Sequence, residues 1–272
     1  MTSGGSATVT DEMTAVETRN ADSSAGVVFV CEHASNHIPE RYGGLGLDAA
    51  TLESHVAWDP GALPVALSLA GHFQAPLVAA RVSRLLHDCN RPPEAEDAVP
   101  AKSELFEIPG NRGLSGEERR ARITGIYEPF HAALSTLLDA RKAAGLATAL
   151  VTVHSFTPTY FGRPREVELG VLHDEDSRLA DLLLDQAAAL TGFKAARNDP
   201  YGPEDGVTHT LKRHGLARGL PNVMLEIRND LLRGAEAQSA AAAKLARLLE
   251  ATLPILAQTL AEDRPRRAGE LR

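Results

Sequence analysis

The sequence has few cysteines, no excess of basic residues and no long apolar run. Two cysteines, Cys31 and Cys89, are too few for a disulfide framework, and each adjoins an apolar run where a buried free thiol is expected. Asp and Glu total 36 against 28 Lys and Arg, and the net charge of −8 disfavours nucleic acid and anionic membranes as partners. No stretch approaches the roughly 20 apolar residues of a transmembrane helix, and the N-terminus does not resemble a signal peptide. We therefore expect a cytoplasmic protein in a reducing compartment.

Several motifs of nucleotide binding and hydrolysis are also missing. The chain contains neither the P-loop pattern G-x-x-x-x-G-K-[ST] nor a G-x-G-x-x-G that follows a strand and opens a helix. The pattern G-x-S-x-G is absent, which disfavours a serine hydrolase of the α/β-hydrolase type. The metalloprotease helix motif H-E-x-x-H is absent as well, because no Glu lies between His33 and His37 and Pro39 follows them.

The length fits one large α/β domain as well as two small ones, and we expect a single catalytic domain with a short tail at each end. The 272 residues are 43% hydrophobic and 24% charged, which is enough to bury a core without disulfide bonds. Residues 1–24 are small and polar, so we expect a disordered N-terminal tail there. Residues 25–262 are expected to form a single α/β domain, and the charged residues 263–272 a flexible C-terminal tail.

Short apolar runs alternate with helical patterns along the chain. Five runs are predicted to be buried strands, namely residues 27–31, 77–82, 149–153, 167–172 and 223–227. Because longer helical patterns lie between most of them, we expect an α/β sandwich with a largely parallel sheet.

Capping residues and prolines predict where helices begin and bend. Ser115 and Glu118 form a capping-box pattern, and the helix that follows is expected to bend at Pro129. Asp59 is the predicted N-cap of another helix because a proline follows it. The Ala/Leu-rich segment at residues 235–261 is predicted to form one or two closing helices, divided or bent at a central proline.

Polar residues follow the predicted strands, at the sheet edge where α/β proteins bind ligands. His33 follows the first run and His154 the third, whereas Glu226 lies inside the fifth, where a buried carboxylate needs a partner. Two strand-end histidines and a carboxylate fit a catalytic Zn²⁺ site, which has three protein ligands and one open position. A nearby Glu can accept a proton from the activated water during attack on a carbonyl group.

Seven short segments occur in an order that matches a known family. They are VCEHASN (30–36), AWDPGA (57–62), DCNRP (88–92), IPGNR (108–112), VHSFTP (153–158), DGVTHTL (205–211) and EIRNDL (226–231). Together they resemble the N-formylglutamate amidohydrolase family, which is similar in turn to zinc carboxypeptidases. The resemblance implies a three-layer αβα sandwich with a mostly parallel mixed sheet, of the zinc-carboxypeptidase-like (phosphorylase/hydrolase-like) type, and one catalytic Zn²⁺ ion.

The resemblance implies roles for five residues: the zinc ligands His33, Asp59 and His154, the general base Glu226 and the carboxylate clamp Arg91. The carboxypeptidase spacing H-x-x-E would instead place the second ligand at Asn36. A neutral amide oxygen binds zinc weakly, so Asp59 is favoured over Asn36. Imidazole and carboxylate ligands also accept Co²⁺, Mn²⁺ or Ni²⁺, and the sequence does not choose among these ions.

The family substrate carries two carboxylates, so further substrate-binding residues are expected. Arg91, Arg112 and Arg228 are candidates to bind them as bidentate forks, and ordinary ion pairs are the alternative for Arg112 and Arg228. His209 is a candidate for oxyanion stabilisation or substrate contact, and its alternative is a capping or solvated loop histidine. Asn90 would position Arg91 or the substrate carbonyl, or would serve as a turn residue.

Three functional hypotheses follow. The first is hydrolysis of a small acidic N-acyl amino acid, such as N-formyl-L-glutamate, to formate and L-glutamate. The second keeps the zinc site but acts as a carboxypeptidase or another N-acyl amino acid deacylase, because sequence does not reveal pocket size. The third is a non-catalytic protein that binds an acidic metabolite, and it is disfavoured because ligands, base and clamp are all present.

Overall fold

A mixed sheet of seven strands runs through the centre of the protein. The computed structural model describes residues 14–269, with side chains up to residue 262. The strands are β1 (Val16–Arg19), β2 (Val27–Cys31), β3 (Leu77–Ala80), β4 (Lys102–Ser103), β5 (Phe106–Glu107), β6 (Ala149–Phe156), β7 (Thr159–Tyr160), β8 (Arg163–Pro164), β9 (Leu169–Leu172), β10 (Ala195–Arg197) and β11 (Asn222–Arg228). The α-helices are α1 (Ala49–Glu53), α2 (Ala62–His72), α3 (Gly116–Arg122), α4 (Glu128–Ala143), α5 (Arg178–Thr191) and α6 (Gly234–Gly269). Short 3₁₀ or π turns lie at Glu40–Gly46, Glu96–Ala98, Pro109–Asn111, Ile123–Tyr127, Pro203–Asp205, Leu211–Gly215, Leu216–Arg218 and Asn229–Leu232.

Most strand pairs in the central sheet are parallel. The spatial order is β1-β3-β2-β6-β11-β9-β10. The pairs β2–β3, β2–β6, β6–β11 and β9–β10 are parallel, whereas β1–β3 and β9–β11 are antiparallel. The β4–β5 and β7–β8 pairs form separate hairpins. The predicted α/β class and all five predicted strands are confirmed, and the edge strands β1 and β10 are additional.

Helices cover both faces of the sheet, which makes it the expected three-layer αβα sandwich. Phe29 on β2 packs in the core that includes α2, α5 and α6, whereas its neighbour Val30 packs in the core that includes α4. Because both faces are covered, the strand is apolar at every position instead of alternating. Cys31 and Cys89 are buried free thiols, as predicted, and burial raises the pKa of both.

The predicted helix that follows Ser115 is present, but it is interrupted. The Ser115 hydroxyl accepts from the Glu118 amide at 3.2 Å and the Glu118 carboxylate accepts from the Ser115 amide at 2.8 Å, so the capping box is confirmed. A π turn separates α3 from α4, and within it the Glu128 amide donates to the Ile123 carbonyl five residues back. Pro129 follows directly, and it has no amide hydrogen to donate and its ring crowds the preceding turn. The wider π turn thus occurs next to Pro129, which would interrupt the backbone hydrogen bonds of a continuous α-helix.

The predicted start of α2 is wrong by two residues. The helix begins at Ala62, with Gly61 at the N-cap position, and Asp59 does not cap it. The Asp59 backbone amide donates to the His33 carbonyl at 2.9 Å, and its carboxylate turns toward the sheet. Gly61 adopts φ +85°, a left-handed conformation that lets the chain turn between Asp59 and the helix.

The structure also corrects the predicted N-terminal tail. Residues 16–19, which lie within the expected tail at 1–24, form β1 and pair with β3. Pairing with the open edge of β3 satisfies their backbone groups, and Val16 packs against the core. Residues 1–13 and 270–272 lie outside the described residues, and α6 continues to Gly269 without being divided at Pro254. Among residues 14–269, none of the helices combines the length and the apolar character that crossing a membrane requires.

A cluster of histidines joins α4 to the segment at residues 207–215. Nε2 of His131 donates to the Cys89 carbonyl at 2.9 Å, so Nδ1 of the neutral ring accepts from Nε2 of His214 at 2.7 Å. The Tyr127 hydroxyl lies 2.8 Å from Nε2 of His209. His87 packs against Tyr127 with ring centroids 5.2 Å apart, and neither of its nitrogens has a hydrogen-bond partner among the described residues.

Burial holds these histidines in the neutral form. It lowers the pKa of His131 to about 2, of His214 to about 3, and of His87 and His209 to about 4. Neighbouring positive groups add to the effect on His131, namely His214, His209 and Arg213. The four imidazoles are therefore neutral in the folded protein near pH 7, whereas each histidine of the unfolded chain protonates near pH 6.5.

We predict that replacing Gly61 with Ala lowers the free energy of unfolding by about 2–4 kcal/mol, because the new Cβ is strained at positive φ and meets Leu232. A Cβ at Gly61 would lie 2.6 Å from Cβ of Leu232. Gly71→Ala in the same helix is the matched control, since a Cβ there has no neighbour within 4 Å. Denaturant unfolding should find Gly71→Ala within about 1 kcal/mol of the parent. Equal stabilities for the two variants would contradict this account.

The histidine cluster predicts loss of stability as the pH falls from about 6.5 to about 4. In this window the unfolded chain binds protons that the folded protein does not bind, so the free energy of unfolding decreases with decreasing pH. His131→Gln removes one such proton and should reduce the slope by about 1.4 kcal/mol per pH unit. The measurement is denaturant unfolding at several pH values with a chelator present. A slope identical to that of the parent chain would argue against a neutral buried His131.

Candidate active site

Three neighbouring strands bring the candidate site residues to one edge of the sheet. β2, β6 and β11 are adjacent and parallel, so their C-terminal ends meet. His33 lies two residues beyond β2, and Glu226 on β11 is in register with His154 on β6. Asp59 enters from the turn before α2. All four side chains are buried.

The two histidines and Asp59 direct three donor atoms toward one another. Nδ1 of His154 lies 2.8 Å from Oδ2 of Asp59 and 3.2 Å from Nδ1 of His33. Nδ1 of His33 lies 3.3 Å from the same Asp59 oxygen. Within residues 14–269 this is the one group of three or more His, Cys, Asp or Glu side chains with an arrangement that could hold a metal ion. We call it the His-Asp-His group.

Each imidazole presents its other nitrogen to a second carboxylate. Nε2 of His33 donates to Oδ1 of Asp88 at 2.7 Å, and Nε2 of His154 lies 3.0 Å from Oε2 of Glu32 without the alignment of a hydrogen bond. A carboxylate behind one ring nitrogen holds the proton there and leaves the opposite nitrogen able to bind a metal. Both Nδ1 atoms are therefore the candidate donors.

The surrounding carboxylates make this position favourable for positive charge. Burial opposes protonation of His154, but Glu32 and Asp59 more than offset it and raise the pKa well above its usual value. Against burial, Asp88 and Asp59 likewise raise the pKa of His33. Burial alone would raise the pKa of Asp59, yet the two histidines hold it below its usual value. Ionised Asp59 and positive charge near it therefore stabilise each other.

The donor set fits a zinc ion. Bonds of about 2.0–2.1 Å in a tetrahedral arrangement place ligand atoms about 3.3 Å apart, and the three observed separations are 2.8, 3.2 and 3.3 Å. Two imidazole nitrogens and one carboxylate oxygen are ligands that zinc accepts, and Co²⁺, Mn²⁺ and Ni²⁺ accept them too. Asn36, the alternative ligand, donates instead to the Leu52 carbonyl at 3.0 Å and does not belong to the His-Asp-His group.

Glu226 lies beside the His-Asp-His group with one oxygen available. Its Oε2 is buried and makes no hydrogen bond with any described residue. Burial raises the pKa of Glu226 to about 7, and Asp59 adds to the shift. Gly170 is the register partner of Glu226 on β9, and a Cβ there would lie 2.5 Å from the Asp199 carbonyl oxygen and 3.1 Å from Cβ of Glu226. Glycine at this position thus leaves room for the carboxylate and for the chain that crosses above it.

A cavity of about 390 Å³ opens above these residues. Its floor contains His33, Asp59, His154 and Glu226, and Arg84 and Tyr201 form part of its wall. Nη2 of Arg84 donates to Asp88 at 2.5 Å, and Nη1 lies 3.7 Å from Oδ1 of Asp59. The cavity therefore places a fixed cation next to the His-Asp-His group.

Arg91 and Asn90 also line the cavity, but they differ in how much of each side chain is engaged. Asn90 uses both amide atoms on loop backbone, donating to the Val207 carbonyl at 2.5 Å and accepting from the Thr210 amide at 3.1 Å. Arg91 donates from Nε to Asp97 at 2.7 Å and from Nη1 to the Gly206 carbonyl at 3.2 Å. Its Nη2 makes no hydrogen bond within the described residues. Arg91 thus faces the cavity with part of its fork available.

Three predicted substrate-binding residues lie outside the cavity lining. Arg112 is 59% exposed and pairs with Glu107 at 2.6 Å. Arg228 pairs with Asp230 at 2.8 Å and donates to the Arg165 carbonyl, so it holds a loop on the other side of β11. His209 belongs to the histidine cluster and contacts Tyr127. The spacing of these residues in the sequence does not reveal that their side chains bind local partners instead of lining the cavity.

Residues that the sequence analysis did not identify complete the site. Glu32 and Asp88 back the two histidines, and Arg84 bridges Asp88 and Asp59. Glu32 directly precedes His33, and Asp88 begins the segment DCNRP, so both stood in strand-end segments that were already candidates. A buried acidic residue next to a predicted metal ligand is the signal that points to such a partner.

Comparison with known proteins identifies the family and the fold of the chain. The family model described as N-formylglutamate amidohydrolase matches residues 25–233. The structure of gene product Atu2144 from Agrobacterium tumefaciens is 53% identical, covers 90% of this chain and 97% of its own, and superposes with a TM-score of 0.88. An N-formylglutamate amidohydrolase from Ralstonia eutropha JMP134 is 19% identical over 90% of this chain and 98% of its own, with a TM-score of 0.61, which shows a shared fold. A search of curated proteins finds no match.

The family match covers most of the chain and includes every residue of the cavity floor. It also spans the parallel strands β2, β6 and β11 that carry them. The chain therefore belongs to the N-formylglutamate amidohydrolase family and is a hydrolase of amide bonds.

Proposed function

We propose that this protein is a zinc-dependent amidohydrolase that cleaves the amide bond of an N-acyl amino acid. The observation that carries the proposal is the buried His-Asp-His group with Glu226 beside it at the floor of an open cavity. In this proposal residues 25–262 act as one catalytic domain. N-formyl-L-glutamate, which would yield formate and L-glutamate, is the substrate that the family name suggests.

His33, Asp59 and His154 would hold the metal through Nδ1, Oδ2 and Nδ1. A bound Zn²⁺ ion supplies a Lewis acid and lowers the pKa of water at the site to about 7. Asp88 orients the ring of His33 by accepting from Nε2, and the negative charge of Glu32, 3.0 Å from Nε2 of His154, favours a proton on that nitrogen. The backbone amide of Ser155 donates to Oδ2 of Asp59 at 3.2 Å, and this bond fixes the direction of the carboxylate.

Glu226 has the position and the environment of a general base. Oε2 is unpaired and buried, and a carboxyl group whose pKa burial raises to about 7 can both accept and release a proton near neutral pH. It takes one proton from the water that attacks the carbonyl carbon and returns it to the amide nitrogen as the C–N bond breaks. The products are then the free acid from the acyl group and the free amino acid.

Two arginines complete the proposed roles. Arg91 binds the substrate α-carboxylate with the part of its fork that is not engaged by Asp97 and the loop backbone. Arg84 lies close enough to the His-Asp-His group to stabilise the negative charge that develops on the carbonyl oxygen. Asn90 acts by holding the 207–210 backbone that forms the opposite wall.

The other N-acyl amino acid deacylases are the second candidate. The observation that favours them is that Arg112 and Arg228, the two residues expected to bind a second carboxylate, do not line the cavity. The reaction and the roles of Glu226 and Arg91 are the same for this candidate. Only the side chain of the substrate differs.

Metal content tests the first part of the proposal. Purified protein should contain about one Zn²⁺ per chain, and Asp59→Asn or His154→Ala should lose most of it because each removes a donor of a three-ligand site. Elemental analysis after dialysis is the measurement. His55→Ala is the control, since His55 lines the same cavity outside the His-Asp-His group and should retain the metal. Equal zinc in all three variants would show that the ion binds elsewhere.

Activity tests the role of Glu226. Glu226→Gln should lower kcat by about 10²–10⁴-fold on hydrolysable N-formyl amino acids, because the amide cannot accept the proton. Zinc content should stay at the parent level, which separates loss of the base from loss of the metal. Glu250→Gln, which replaces a surface carboxylate that pairs with His72 outside the cavity lining, should retain the parent rate. Near-normal turnover by Glu226→Gln would exclude this mechanism.

A further inference from the structure

The cationic side chains at the cavity are paired with carboxylates, with one exception. Four pairs involve residues of the lining: Arg84 with Asp88 at 2.5 Å, Arg91 with Asp97 at 2.7 Å, Lys102 with Glu107 at 3.7 Å and His55 with Glu104 at 2.8 Å. The exception is Arg165, which has no carboxylate partner among the described residues. An arginine that no acidic side chain balances is available to an anionic ligand.

Arg165 lies at the border of the cavity, where its main chain is fixed at two points. Its amide donates to the Pro158 carbonyl at 2.8 Å, and its carbonyl accepts from Nη1 of Arg228 at 3.2 Å. The guanidinium is not itself part of the cavity lining, but every residue that it contacts is: Phe156, Thr157, Tyr160 and Tyr201. A ligand that reaches this wall therefore comes next to the charge of Arg165.

Much of the hydrogen-bonding capacity of Arg165 is unused. Both of its side-chain hydrogen bonds come from Nη1, to the Thr157 carbonyl at 3.4 Å and to the Tyr201 hydroxyl at 3.0 Å. Nε and Nη2 donate to no residue that the structure describes. The rings of Tyr160 and Tyr201 have their centroids 4.5 and 4.7 Å from the guanidinium. Such contacts use the face of a guanidinium and leave its edges free to donate hydrogen bonds.

Tyr201 connects Arg165 with the floor of the cavity. Its hydroxyl accepts from Nη1 of Arg165 and donates to no described residue. Burial raises the pKa of Tyr201 to about 12, and the negative charge of Glu226 adds to the shift while Arg165 opposes it. The hydroxyl therefore keeps its proton at neutral pH and can donate it to an acceptor in the cavity.

We infer that Arg165 and Tyr201 bind the side-chain carboxylate of the substrate and so determine a preference for an acidic N-acyl amino acid. The inference rests on the proposed function and names the specificity-determining residues for it. Tyr201 donates its hydroxyl proton to the carboxylate, and Arg165 supplies the balancing charge together with its unengaged Nε and Nη2 donors. Charge-assisted hydrogen bonds of this kind are about twice as strong as neutral ones.

The assignment fits the other proposed roles. Arg91 takes the α-carboxylate and the acyl group lies at the floor beside Glu226, so a second carboxylate needs a cation elsewhere on the wall. Arg112 and Arg228, for which the sequence predicts this role, lie outside the lining. Arg228 contributes indirectly, because it holds the carbonyl of Arg165.

Two substrates of equal size test the inference on the zinc-loaded protein. N-formyl-L-glutamate and N-formyl-L-glutamine differ only at the end of the side chain, where a neutral amide replaces the carboxylate. The value of kcat/KM should be about tenfold or more higher for N-formyl-L-glutamate, which is the discrimination that a hydrogen-bonded charge supplies. Equal values for the two substrates would overturn the inference.

Variants of the two residues link this ratio of kcat/KM values to the site. Arg165→Met removes the charge and the donors and should lower the ratio by about tenfold, through slower hydrolysis of N-formyl-L-glutamate. Arg165→Lys keeps the charge without the planar fork and should retain a larger ratio than Arg165→Met. Tyr201→Phe removes one hydrogen bond and should lower the ratio by about threefold.

A purely structural role of Arg165 predicts a different result. Loss of its contacts with Tyr160 and Tyr201 would disturb the wall for both substrates, so both kcat/KM values would fall together. A parent-like ratio in Arg165→Met would therefore overturn the inference even if the variant is slow. Arg19→Met is the matched control, because it removes an arginine of β1 that pairs with Glu17 at 2.6 Å outside the lining and should leave the ratio unchanged.

The outcomes separate this inference from the proposed function. Hydrolysis of both substrates without a preference that depends on Arg165 would overturn the inference and leave the amidohydrolase assignment in place. If neither substrate is hydrolysed, the proposed function fails, and titration calorimetry of N-formyl-L-glutamate with zinc-loaded Glu226→Gln protein decides the inference. Adding Arg165→Met to that variant should weaken binding by about tenfold, and equal affinities would overturn the assignment of Arg165.

Discussion

The burial of negative charge at one end of the sheet is the constraint on which the rest of the site depends. Glu32, Asp59, Asp88 and Glu226 are each at most 5% exposed and lie within one small region. Buried carboxylates are tolerated when positive charge or hydrogen-bond donors face them. Two histidines, Arg84 and the Ser155 amide supply part of that compensation. A divalent ion between the Nδ1 atoms and Asp59 would supply the remainder. The stability of the buried carboxylates and the binding of a metal ion would therefore depend on each other.

The backbone meets this constraint by bringing distant segments to fixed separations. The parallel register of β6 and β11 places His154 opposite Glu226, and β2 delivers His33 at the same edge. Asp59 reaches the group because the chain turns at Gly61 before the helix begins. Gly170 has the same importance for Glu226, since a side chain there would collide with the Asp199 carbonyl. Gly61 and Gly170 thus decide whether the carboxylates of Asp59 and Glu226 can approach the histidines.

The sequence predicts the fold and the centre of the site better than it predicts the walls. Continuous apolar runs identify the central strands because burial on both faces removes alternation, and strand ends identify His33 and His154. The edge strand β1 escapes prediction because it is short and half exposed. The sequence offers two roles for Asp59, as a helix N-cap and as a partner of the histidines. In the structure the long-range contact with His154 is formed and the helix cap is not. Arg112 and Arg228 lie in motifs of the family, yet the direction of a surface side chain is set by its local acidic neighbours and not by spacing.

The floor and the walls of the cavity differ in how strongly the fold constrains them. The floor is made by strands β2, β6 and β11, whose register cannot shift without moving a whole buried face. The rest of the cavity lining includes residues of the β4–β5 and β7–β8 hairpins and of the segment around Tyr201 and Val207. Connecting segments are less constrained by strand register than the strands themselves. Side chains of these loops, such as Tyr160 and Tyr201, line the cavity beyond the strand-borne floor, so they are the groups whose substitution would change what the cavity accommodates without moving His33, His154 or Glu226.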